Sequence, residues 1–227
     1  MTATVSEALS HRMSVRAFLN KPVEDELIVD ILDLARRAPS GGNLQPWIVH
    51  AVGGAKLSEL KAIVAEKFAA EGKTEELEFN SYPKGLWEPM RSRRSEAGRL
   101  RYEAFGYDNK DPQGLRDLQE RNFDFFGAPV GLFFFLDRRV GAPQWCDLGI
   151  YLQSVMLMAV DHGLDTCPQQ VWGCWNKTLR KFLDVSEDYL LFCGMSVGYR
   201  DPDHPCSAAR TSRAPLTDFT TFHGISR

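Results

Sequence analysis

The sequence predicts a single globular domain in which helices surround a central β-sheet. At 227 residues, with 44% apolar and 25% charged side chains, the chain has an ordinary globular composition and the length for one sizeable core. The run Val130-Gly-Leu-Phe-Phe-Phe-Leu136 is apolar and uncharged over a strand's length, as a strand buried on both faces requires. Residues 143–162 open on Pro143 and are apolar almost all round, with Leu148, Ile150, Leu152, Val155, Met156, Leu157 and Ala159, as befits a helix buried in a core or a subunit interface.

The other elements follow in chain order. A short helix is expected around residues 6–11. Pro22 and the acidic run Glu24-Asp25-Glu26 start a second, because acidic side chains suit a helix's positive end. Leu27, Ile31, Leu34 and Ala38 recur at helical spacing as its buried stripe, and Pro39-Ser40-Gly41-Gly42 ends it. Residues 47–52 read as a strand and 56–71 as a helix. Residues 72–121 change character: they carry Arg91, Arg93, Arg94, Arg99 and Arg101 with Tyr82, Trp87, Tyr102 and Tyr107 scattered among them, which suggests an inserted lid, although a solvated charged surface fits equally well. After the long helix, Gly163 is a stop, 166–175 a loop, Asn176 the cap of a helix ending near Asp184, and 189–197 the strand that completes the sheet. Residues 198–227 are rich in Pro, Asp, Ser and Arg and have no apolar stripe, so they either dangle or wrap a partner.

A net charge of −3 provides no general field for nucleic acid. The N-terminal residues have no apolar core of the signal-peptide kind, and Asp147 and Gln153 interrupt the most apolar helix, so a cytoplasmic protein outside the membrane is expected. Five cysteines without a Cys-x-x-Cys pair fit neither a disulfide framework nor a regular zinc site, and no metal is expected.

Four segments have chemistry to offer. In an extended Arg12-Met13-Ser14-Val15-Arg16, positions 12, 14 and 16 share one side and present two guanidinium forks and a hydroxyl to a phosphate, although by chemistry alone surface salt bridges rank ahead of ligation. In Pro39-Ser40-Gly41-Gly42-Asn43-Leu44-Gln45-Pro46-Trp47, two glycines permit close backbone approach to a planar ligand and Ser, Asn and Gln add donors and acceptors; a helix end followed by a turn is the competing account. Thr166-Cys167-Pro168-Gln169-Gln170 offers amides and carboxamides, or merely connects two elements. Arg210-Thr211-Ser212-Arg213 offers positive charge near the end of the chain, or is a basic tail.

Taken together, these segments resemble the FMN-dependent nitroreductase family, its nitrobenzoate-reductase-like branch in particular, over essentially the whole chain. The sharpest parts are Arg-x-Ser-x-Arg-x-Phe at Arg12 to Phe18 and the ten residues from Ala38 to Trp47. The resemblance implies an α+β fold with a mostly antiparallel sheet flanked by helices, and a homodimer with exchanged C-terminal arms and FMN between subunits. By motif position, Arg12, Ser14, Arg16 and Arg213 would hold the phosphate and ribityl chain, and Pro168, Gln169 and Gln170 would border the isoalloxazine. Pro39, Ser40, Gly41, Asn43 and Gln45 would come from the other protomer. Met13 stands where relatives are often polar, and Thr211 where some carry lysine, which leaves Arg210 to supply the positive charge.

The resemblance further implies that NAD(P)H and a small aromatic acceptor use one cavity in turn, with ping-pong kinetics and no obligatory catalytic side chain, because the cofactor carries the hard chemistry. Tyr82, Trp87, Arg91, Arg93, Tyr102, Tyr107 and Phe123 are candidates to stack on the acceptor or pair with its carboxylate. Reductive dehalogenation, enone reduction or flavin storage on the same frame are the alternatives.

Overall fold

The computed structural model describes residues 3–72, 74–108 and 111–225; Lys73, Asn109 and Lys110 of the expected lid, and Ser226 and Arg227 of the tail, lie outside the described residues. Among the described residues seven helices, α1 (Val5–His11), α2 (Asp25–Ala35), α3 (Gly54–Glu71), α4 (Met90–Ala104), α5 (Pro112–Phe123), α6 (Ala142–Asp161) and α7 (Asn176–Leu183), surround four strands, β1 (Ile48–Gly53), β2 (Val130–Asp137), β3 (Asp165–Gln169) and β4 (Tyr189–Gly198). The sheet order is β1-β2-β4-β3, every neighbouring pair antiparallel, so the expected α+β fold is what the chain adopts.

The apolar run of β2 is buried nearly throughout, and its side chains divide between two cores by strand alternation. Phe133 and Phe135 face a core built with α3 and the aromatic rings of Phe123, Phe125, Trp172 and Trp175. Leu132, Phe134 and Leu136 face a second core built with α2 and α6. Gly131 and Gly194 let the rings close on the sheet: a Cβ on Gly194 would lie 2.4 Å from Trp172 Cδ1, and one on Gly131 2.6 Å from the Phe125 ring. A register shift between Phe134 and Phe135 leaves an extra residue on β4, Phe192, which packs edge-on against Trp145 with ring centroids 5.6 Å apart.

Three expectations are corrected. α2 buries Ile28, Ile31 and Ala35; of the Leu27, Ile31, Leu34, Ala38 series, Ile31 is buried, Leu27 and Ala38 are half-buried against the same core, and Leu34 is exposed. Both series have helical spacing, and only the sheet beneath decides between them. Residues 166–175 are no loop: Thr166–Gln169 lie in β3, where Pro168 pairs with Met195, and residues 170–175 form 3-10 turns. Asn176 does not cap α7 but is buried within it, bonding Gly173 O and Glu76 O, while the cap comes from Glu75, whose carboxylate accepts from the Lys177 N–H at 2.8 Å and the Thr178 N–H at 3.1 Å.

The expected lid is not uniform. α4 has no buried residue, whereas α5 sends Leu118 and Phe123 into the core. The segment before α4 is tied down by Glu78, which accepts from Arg180 at 2.6 Å and from Arg138. Burial alone would raise the Glu78 carboxyl, but the hydrogen bonds and charges of Arg180 and Arg138 outweigh it and hold the group below the usual carboxylate range. A carboxyl depressed in the folded chain stabilises fully above its unfolded value, roughly 4.3, and the stabilisation is lost as pH falls through the lower folded value. Glu78→Gln is expected to cost about 2 kcal/mol at neutral pH and to flatten this acid limb. Thermal unfolding followed from neutral pH downward checks it, and an unchanged acid limb in the variant would contradict it.

Candidate functional site: two joined cavities lined by arginine

Residues 12–18 run extended beside β3, with a parallel bridge from Ser14 to Thr166 and the Val15 N–H donating to Thr166 O at 3.0 Å. The alternation is the expected one: Met13, Val15 and Ala17 are buried, and Arg12, Ser14 and Arg16 are half-buried on the other side. All three, with Met13, line a cavity of about 1510 Å³. Arg210 and Arg213 of the tail line it too, and Arg210 donates to the backbone carbonyls of His11 and Arg12. Arg16 also reaches a second cavity, of about 790 Å³, whose wall includes Pro168, Gln169 and Gln170. Tyr82, Arg94 and Arg101 are likewise common to both, so the two spaces adjoin.

The electrostatics are one-sided. No acidic residue lines either cavity among the described residues. Burial and the nearby Arg213 and Arg210 charges lower the Arg12 guanidinium, the mark of cations crowded together without a counter-charge. Among the described residues Arg12 Nη1 bonds Met156 Sδ, at 4.0 Å, and Arg16 Nη1 the Ser14 carbonyl, at 3.2 Å, and neither fork meets a carboxylate. Forks left free of carboxylates and half-buried suit a multiply charged oxyanion such as a phosphate.

The other expected site residues fall into three groups. Gln169 lies in the smaller cavity's wall, but its side chain is 3% exposed and bonded, donating to Asn122 O and Oδ1, both at 2.7 Å, and accepting from Ser196 Oγ at 2.8 Å. The carboxamide therefore fixes the wall, and Gln170 is the half-buried neighbour with a freer one. Tyr82, Arg91, Arg93 and Tyr102 line the larger cavity. Arg91 is paired with Glu88 at 2.7 Å, and Arg93 with Asp218 of the tail at 3.5 Å. Trp87, Tyr107 and Phe123 line neither: Trp87 is exposed, Tyr107 packs on Gly114 and donates to Asp117 at 3.0 Å, and Phe123 is in the aromatic core against Phe68 and Trp175. Pro39, Ser40, Gly41, Asn43 and Gln45 also line neither cavity. Their loop lies against α6, where buried Asp147 accepts the Gly41 N–H at 3.2 Å.

Three lining residues carried no sequence signal that singled them out. Arg94 and Arg101 were two arginines among the five of α4, and Gln153 was a polar break in an apolar helix. What tells Arg94 and Arg101 apart from the other three arginines is the company each keeps along α4, taken up below.

The class is thus a sheet-centred α+β fold whose adjoining cavities combine clustered arginines with the Pro168–Gln170 wall. The chain belongs to the nitroreductase family, which it matches over residues 9–199. It is 35% identical to the 4-nitrobenzoate reductase of Pseudomonas putida over 100% of this chain and 99% of that one. It is equally 35% identical to the chloronitrobenzene nitroreductase of Comamonas testosteroni over 96% of each. Among solved structures it resembles the FMN and NADPH-dependent nitroreductase NfnB from Sphigopyxis sp. strain HMH, with a TM-score of 0.94 and 38% identity, covering 98% of this chain and 100% of that one.

Proposed function

We propose that the chain is an FMN-dependent oxidoreductase that carries electrons from NAD(P)H to nitroaromatic acceptors. The single observation that supports this most is the acid-free arginine cluster of the larger cavity adjoining the Pro168–Gln170 wall of the smaller one. The residues fit the cofactor: Arg12, Ser14, Arg16 and Arg213 would hold its phosphate and ribityl chain, with Arg210 as the added positive charge, and the β3 wall would border its ring. When bound, FMN supplies hydride acceptance and donation, chemistry that no side chain of this protein provides.

The chain's own work is then binding, orientation and exclusion. Buried Met13 and Val15 seat the extended segment so that both guanidinium groups stay aimed at the cavity. Gln169, clamped by Asn122 and Ser196, keeps the wall rigid. Tyr82 and Tyr102 give the cavity rings that favour a flat reactant. Donor and acceptor share this entrance, so they bind in turn and ping-pong kinetics follow. The acceptors that name the two enzymes above include one carboxylate and one neutral compound, and both belong to the proposed range.

The working unit we propose is a homodimer. Two features support it: the Pro39–Gln45 loop lines neither cavity of its own chain, and apolar side chains such as Val29, Leu44 and Phe219 are 63–69% exposed. In that reading Pro39, Ser40, Gly41, Asn43 and Gln45 serve the partner's cofactor, and the tail, which stays on its own chain as far as the Arg93–Asp218 pair, crosses to the other subunit beyond Asp218. No described helix is long and apolar enough to cross a membrane, and a cytoplasmic location is part of the proposal.

Purified protein is expected to be yellow. NADPH or NADH added without oxygen should bleach it, and a nitroaromatic should then restore the colour. A colourless chain that stays so after incubation with FMN would overturn the proposal, and flavin that neither nucleotide bleaches would make it a storage protein instead.

A further inference from the structure

The five arginines of α4 divide into two sets. Arg91 pairs with Glu88, Arg93 with Asp218, and Arg99 with Glu96 at 2.7 Å and Glu103 at 2.6 Å. Arg94 and Arg101 have no ion-pair partner among the described residues. The Arg94 guanidinium lies over the Tyr82 ring, 4.2 Å from its centroid, and Arg101 Nε is buried with no hydrogen-bond partner among the described residues. The sequence makes this division deliberate in form: Arg99 has a glutamate three residues before it and another four after, whereas no acidic residue stands three or four positions from Arg94 or Arg101.

The two unpaired arginines are also the ones the fold aims at the site. They are seven residues apart, two helical turns and roughly 10 Å along one face, and each lines both cavities. Between them on that face are Ala97 and Gly98, which line the larger cavity, and a Cβ added at Gly98 would meet nothing within 4 Å. The helix thus presents a shallow notch with a guanidinium at each end. Four other arginines, on the N-terminal segment and the tail, already serve the cofactor phosphate in the reading above, so this pair on a separate helix is surplus to it.

We propose that Arg94 and Arg101 form a subsite for an oxyanion carried by a reactant that visits the cavity, a carboxylate on the aromatic ring of the acceptor or the additional phosphate of NADPH. The subsite rests on the oxidoreductase reading and extends it to specificity. A planar fork binds either group through paired, charge-assisted hydrogen bonds. The notch between the forks leaves room for the body of a flat reactant.

The test measures kcat/KM for 4-nitrobenzoate and nitrobenzene, and for NADPH and NADH, in holoenzyme carrying Arg94→Ala, Arg101→Ala or Arg101→Lys, with Arg99→Ala as the control outside the notch. In Arg101→Ala the ratio of nitrobenzoate to nitrobenzene is expected to fall roughly 10- to 100-fold, with partial recovery in Arg101→Lys. A fall of that size in the NADPH to NADH ratio instead supports the same subsite with the nucleotide as the oxyanion's source. Ratios that do not move, or that move equally in Arg99→Ala, would overturn it. So would loss of FMN from Arg101→Ala, which would make the residue part of the cofactor's cradle. A wild-type chain that reduced no acceptor would overturn the oxidoreductase reading as well, an outcome distinct from unmoved ratios in a working enzyme.

Discussion

Arg16→Glu is expected to come off the column without flavin, its affinity for FMN reduced on the order of 1000-fold. Arg16 is half-buried, lines both cavities and has no carboxylate partner among the described residues. Its replacement removes a charge-assisted hydrogen bond to the phosphate and sets a like charge against a dianion, and the two penalties add. The fold should survive, because no buried partner is orphaned and the neighbours that seat the segment, Val15 and Ala17, are untouched. Flavin absorbance per chain and fluorescence titration of the apoprotein measure the effect. A yellow Arg16→Glu chain of wild-type affinity would remove the N-terminal arginines from the account.

Trp172→Ala is expected to be the most damaging change to stability away from the cavities, costing about 4 kcal/mol and lowering Tm by roughly 8–16 °C. The ring is fully buried, stacks on Phe125 at 4.6 Å and meets Phe133 edge-on at 5.3 Å. Gly194 is the reason it fits, and no neighbour is free to collapse into the space it would leave, because β2 and β4 are paired along their length. Its indole Nε1 has no hydrogen-bond partner among the described residues, so Trp172→Phe, which keeps much of the volume and removes an unsatisfied donor, is expected to cost distinctly less. Calorimetry of the two variants checks the order, and equal losses would contradict it.

What could be read from the chain beforehand divides along a physical line. The β2 run was legible because burial on both faces leaves no polar residue to confuse the pattern, and the helix following it because its apolar residues outnumber the polar ones, although Ile150 of that series is exposed. The extended Arg12–Arg16 segment was legible because alternation is a local property, and the buried Met13, Val15 and Ala17 bear it out. The buried side of α2 was not, since Ile28 and Leu27 are equally apolar and the choice belongs to the sheet and α6 beneath. The cap of α7 was not, since Glu75 is a hundred residues away in sequence and the nearer Asn176 is the more usual capping type. β3 was hidden by Pro168, whose missing N–H argues against a strand but is tolerated at the sheet's edge, where β3 pairs with β4 on one side and carries the Ser14 bridge at Thr166 on the other. Asp147 and Gln153 looked like interruptions of an apolar helix; one holds the Gly41 backbone and the other faces the larger cavity.

At the site, three of the four motifs contribute residues that line the cavities, the Pro39–Gln45 loop lines neither, and the reactant's side was left open. Tyr107 and Phe123 have the residue types of a stacking platform, yet Tyr107 is spent on Gly114 and Asp117 and Phe123 on the core. Arg94 and Arg101 were indistinguishable from their neighbours by type, and became distinct only by lacking the glutamates that accompany Arg91 and Arg99.

The central claim is that an arginine-lined, acid-free cavity holds its cofactor chiefly through the phosphate. Titrating the apoprotein with FMN and with riboflavin, at low and high salt, tests it directly. FMN should bind on the order of 100-fold tighter or more, with the advantage shrinking as salt is raised. Equal affinity for the two flavins at every salt concentration would contradict the account.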